Sequence, residues 1–180
     1  MLGTLRGRAR EYEKSAIRIR NFAQLTPLAR LNPYELAAKL GMQVISVKDL
    51  PNVSDDIAKI LLIDKAGEWS GASSGIMQDG TVFIVLNDTQ SPQRRLATLM
   101  EEICHVLLGH RRNRLSADLL GARDYHQKIE AEAYGVGAAA LVPFVGLQLL
   151  VEQGLSLAAV ARHFGVTKLL VEYRLKIIEE

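Results

Sequence analysis

One cysteine in 180 residues, Cys104, excludes an internal disulfide, and no second thiol stands by to hold a structural zinc. A reducing, cytoplasmic setting is the expectation. Neither sign of charge dominates: 22 Lys and Arg stand against 20 Asp and Glu, a net charge of +2, so composition alone does not announce nucleic acid. Repeats and low-complexity tracts are absent too. Arg6, Arg8 and Arg10 open the chain, but Glu11, Glu13 and Lys14 follow where a secretory signal needs an apolar stretch. The one long uncharged run, Ala133 to Val151, is broken by Pro143 and carries Gly135, Gly137, Gly146 and Gln148. It reads as two buried helices meeting near Pro143 rather than a membrane span. What remains, 48% hydrophobic and 23% charged, is a globular composition long enough to bury a core unaided.

The order of patterns predicts an α+β fold. Residues 1–30 read as a basic arm and a helix around Tyr12–Gln24. Asn32-Pro33 supplies a cap and a first-turn proline for a helix that Gly41 closes. Strand-like runs follow at Met42–Val47, Lys59–Asp64 and Thr81–Asn87. Ser91-Pro92 starts the most regular helix, with Leu96, Leu99, Met100, Ile103, Val106 and Leu107 in a 3.6 period up to Gly109. After the basic stretch Arg111, Arg112 and Arg114 come helical segments near Leu115–Leu120, Tyr125–Val142 and Phe144–Gln153, then short helices at about 157–164 and 168–178. The implied division is an N-terminal arm and helix (1–30), a central domain (31–153) and a closing helical pair (154–180).

The central helix reads Glu101-Glu102-Ile103-Cys104-His105, with Glu101 and His105 at i and i+4 on one face, where both can address one ion. Glu102 lies about 100° round the helix, beside that ion rather than on it. A later helix carries Glu130 at the start of a face continued by Ala133, Gly137 and Ala140, small enough for a neighbouring backbone to approach. Cys104 faces the core, and His110, after Gly109, sits past the helix end. Ala161, Gly165, Val166 and Val171 have helix-turn-helix spacing, but Leu169, Leu170 and Glu172 are poor base readers, so packing is favoured over DNA binding.

These segments, Arg95 to His105 and then Glu130 to Pro143 behind the strand Thr81–Asn87, resemble the ImmA/IrrE family of metallopeptidase-like proteins from about Asn32 to Leu175. The resemblance implies an H-E-x-x-H zinc site in which His105 is the second histidine, Glu102 the general base and Glu130 the third ligand, acting on regulators such as repressors. Here Glu101 stands in the first histidine's place and Tyr134 where the family usually has asparagine or aspartate. Tyr134, one turn after Glu130, is placed to donate a hydrogen bond to a ligand or an oxyanion.

Two histidines and one carboxylate leave a divalent ion one net positive charge, whereas Glu101, His105 and Glu130 leave none. A neutral site acidifies water less and shifts preference from zinc towards manganese or iron, with zinc still first by affinity. The expectation is a divalent-metal peptidase whose strand Thr81–Asn87 pairs with an extended peptide or protein substrate, without membrane. A catalytically silent binding module lacking the metal and a DNA-binding regulator using the closing helices are the alternatives, the second to be tested by Arg174→Ala.

Overall fold

A computed structural model describes residues 4–49, 59, 62–63, 67, 69–74, 76–110 and 122–179. Its residues group into two compact units, Asn32–Arg112 on the one hand and Met1–Leu31 with Asn113–Glu180 on the other. Seven α-helices and a three-stranded sheet among the described residues make the fold α+β.

In the first unit, helix α2 (Pro33–Lys39) begins as its sequence dictates: Asn32 accepts the Tyr34 amide at 3.1 Å and Pro33 occupies the first turn. Gly41 takes the left-handed φ of 71° that ends it. Strand β1 (Met42–Ser46) runs parallel to β3 (Val82–Leu86), and β2 (Gly71–Ser73) pairs antiparallel on the other side of β3. The sheet order is therefore β1-β3-β2, and β3 has both edges taken. That corrects the expected docking of a substrate strand on Thr81–Asn87. Val82, Ile84 and Leu86 point into the core, as the alternation requires.

Helix α3 (Pro92–Leu107) lies on β2, β3 and α2, burying Leu99, Met100, Ile103 and Cys104 completely. Ser91 caps it by accepting the Arg94 amide. β2 was not legible as a strand. Gly71-Ala72-Ser73 lacks branched or aromatic residues, and its glycine is there because α3 is close: a Cβ on Gly71 would stand 2.7 Å from the Thr98 methyl. The strand expected at Lys59–Asp64 lies mostly outside the described residues, and Lys59, Leu62 and Ile63 are not in a strand. The helix expected at Leu115–Leu120 and the Arg111, Arg112 and Arg114 cluster also lie outside them.

The second unit consists of α1 (Gly7–Phe22), α4 (Ala122–Leu141), α5 (Phe144–Glu152), α6 (Leu157–Phe164) and α7 (Lys168–Glu179). Helix α1 starts at Gly7, so Arg8 and Arg10 belong to it rather than to an extended arm. It packs on α4 so closely that a Cβ on Gly135 would collide with the Tyr12 ring. The apolar run breaks at Pro143 as expected, with a 51° bend. Among the described residues no single helix is long and apolar enough to cross a membrane, although the bent pair passes by length and composition.

Breaking a helix inside a core strands its terminal carbonyls and the first amides of the next helix. Three buried charges take them up. Arg20 donates to the Ala140 carbonyl at 2.8 Å and to those of Thr26 and Ala29. Arg174 donates to the Val142 carbonyl at 3.0 Å, and Glu13 accepts the Phe144 amide at 2.8 Å. Glu13 and Arg174 also form an ion pair at 2.6 Å, with side chains 6% and 0% exposed. Arg174, expected among the basic residues of a DNA-reading helix, is thus an internal lock and offers nothing to a nucleic acid. In α7 Leu170, Val171 and Ile177 are buried, and Leu169 is 75% exposed.

Candidate metal centre

Helix α3 delivers its functional residues by periodicity. With Leu99, Met100, Ile103 and Cys104 anchoring one side in the core, Glu101 and His105 fall together one turn apart on the adjoining face. His105 is buried, Glu101 half-buried and Glu102 4% exposed. A solvated acidic face is thereby excluded. Glu101, His105 and the exposed Glu130 of α4 are the candidate ligands for a metal ion, each offering one ligand atom. Glu132, the acidic neighbour, is not in this group. Instead it lines a cleft with Arg8, Arg10, Glu11 and Lys128.

The donor set fits a divalent cation. One imidazole and two carboxylates are borderline and hard ligands suited to zinc, manganese or iron, and no thiolate or thioether is present to select a softer ion. Cys104, one residue from His105, is fully buried in the core. Burial pushes its thiol well above the ordinary range, and the Glu101 carboxylate adds to the effect. Cys104 in the native protein should therefore resist a disulfide reagent such as DTNB and react at the rate of a free thiol only after unfolding in urea; fast native labelling would contradict its burial.

At the end of α3 the chain makes a Schellman turn. The Gly109 amide donates to the Val106 carbonyl at 3.1 Å and the His110 amide to that of His105 at 2.9 Å, with Gly109 left-handed at φ 69°. The turn folds the His110 ring back onto His105, edge to face, with their Nδ1 atoms 3.2 Å apart. His110 lies past the helix end, as expected, but its pairing with His105 was not legible in the sequence beyond the glycine between them. Tyr134, half-buried on α4, rests edge-on against Tyr173 of α7, the centroids 4.7 Å apart. Burial and the neighbouring phenols of Tyr12 and Tyr134 push the Tyr173 hydroxyl up to about 12.

A small sheet carrying a helix with Glu101, Glu102 and His105 in E-E-x-x-H spacing defines a metallopeptidase-like fold. The sequence matches the IrrE N-terminal-like domain of the M78 peptidases over residues 56–176, well over half its length, and the chain belongs to that family. The match starts beyond α2 and β1, later than the resemblance read from Asn32. No curated protein matches the chain.

Proposed function

We propose that this chain is a metal-dependent endopeptidase acting on a regulatory protein such as a repressor. The observation that carries the reading is the placement of Glu101 and His105 one turn apart on one face of α3, with the buried Glu102 next to Glu101. Glu101, His105 and Glu130 would hold the cation, zinc first, with manganese or iron as alternatives. When bound, the cation supplies Lewis acidity, polarising the scissile carbonyl and acidifying water. Glu102 takes the proton of the attacking water and returns it to the leaving amine, general base and then general acid. Tyr134 donates its phenolic hydrogen to the oxygen on which negative charge develops. The family's peptidase character supports a protein or peptide substrate, and the lone buried cysteine suits a cytoplasmic setting.

The experiment compares wild type with Glu101→His, both loaded with zinc, on a peptide library read by mass spectrometry. Wild type yields cleavage products that a chelator suppresses. Glu101→His restores one net positive charge to the ion, binds zinc more tightly and cleaves faster at neutral pH. A zinc-loaded wild type that retains peptides without cutting them would replace this reading with that of a binding module.

A further inference from the structure

We propose that His110 is a positioning residue for the metal centre, its Nδ1 accepting a hydrogen bond from the Nδ1–H of His105. The inference rests on the assignment of His105 as a ligand. Two imidazole Nδ1 atoms at 3.2 Å share one hydrogen, so one ring donates and the other accepts. If His105 donates, its proton sits on Nδ1 and its lone pair on Nε2, ready for a cation. If His110 donates, Nε2 of neutral His105 carries the proton and cannot ligate. A ligand histidine needs the first arrangement, in which the hydrogen bond at one nitrogen fixes tautomer and ring orientation at the other.

The backbone builds this partner in. Gly109 permits the left-handed turn, the His110 amide is tied to the carbonyl of His105 itself, and the ring is thereby carried back over His105 rather than into solvent. His110 is outside the group able to hold the ion, so its contribution is made through His105.

The test reads the tautomer in metal-free protein, by long-range 1H–15N NMR of histidine-labelled chain at about pH 8.5, two units above the ordinary histidine pKa of about 6.5. Wild-type His105 should show Nδ1–H. His110→Ala and His110→Phe should move it towards Nε2–H, and His110→Asn, whose Oδ1 can accept in place of Nδ1, should restore Nδ1–H. Zinc affinity should follow, about 10–100-fold weaker in the Ala and Phe variants and close to wild type in Asn. A structural role alone would be rescued by Phe, which keeps the ring contact, and not by Asn. Wild-type His105 as Nε2–H, rescue by Phe, or metal-bound 15N shifts on His110 would each overturn the proposal. Because the tautomer is read without metal, failure of wild type to bind any ion would count against the metal assignment, separately from the His105–His110 bond.

Discussion

Glu13→Ala should destabilise the protein by about 3–5 kcal/mol in urea unfolding, the range for removing one partner of a buried ion pair. Arg174 is 0% exposed, and its Nη1 makes no hydrogen bond among the described residues. Without Glu13 its charge would be left inside with only the Val142 carbonyl to face, and the Phe144 amide would lose its acceptor. Burial already pushes the Glu13 carboxyl up and the Arg174 guanidinium down, each against the pull of the other. The pair is therefore a costly lock rather than a large net stabiliser. Replacing both residues, Glu13→Leu with Arg174→Met, should recover much of the loss. A loss below about 1 kcal/mol for Glu13→Ala would mean that Arg174 reaches solvent.

Glu102→Gln should lower peptide hydrolysis by about 10²–10⁴-fold while leaving metal content unchanged, the signature of a lost general base. The amide nearly matches the carboxylate in shape, so a residue 4% exposed can be exchanged without opening a cavity. What disappears is the proton acceptor. Rates equal to wild type would remove Glu102 from the chemistry, and loss of the metal would make it a ligand instead.

Local rules made α3 readable. Its cap at Ser91-Pro92, its apolar period and its glycine stop all act within the segment, and the i, i+4 placement of Glu101 and His105 follows from helix geometry. β3 was readable because its alternation is local as well. β2 was not, since a strand of Gly, Ala and Ser is specified by the edge of β3 that it pairs with and by the helix above it. The break at Pro143 was visible, but the groups that satisfy it were not. Glu13 and Arg20 lie on α1, and the bonds they make to Ala140, Phe144 and Arg174 span 120 to 161 positions of sequence. As charged residues they look like the exposed Arg10 and Glu11, and only their place on the face of Ala9, Tyr12, Ala16 and Ile19 sets them apart. His110 falls between these cases, its position given by Gly109 and its partner only by the turn that Gly109 allows.

Elemental analysis of protein purified without chelator, with His105→Ala alongside, tests the metal centre most directly. About one divalent ion should be found per wild-type chain and none in His105→Ala, which removes the imidazole and leaves two carboxylates. Wild type that stays metal-free even after incubation with zinc, manganese and iron would contradict the metal assignment.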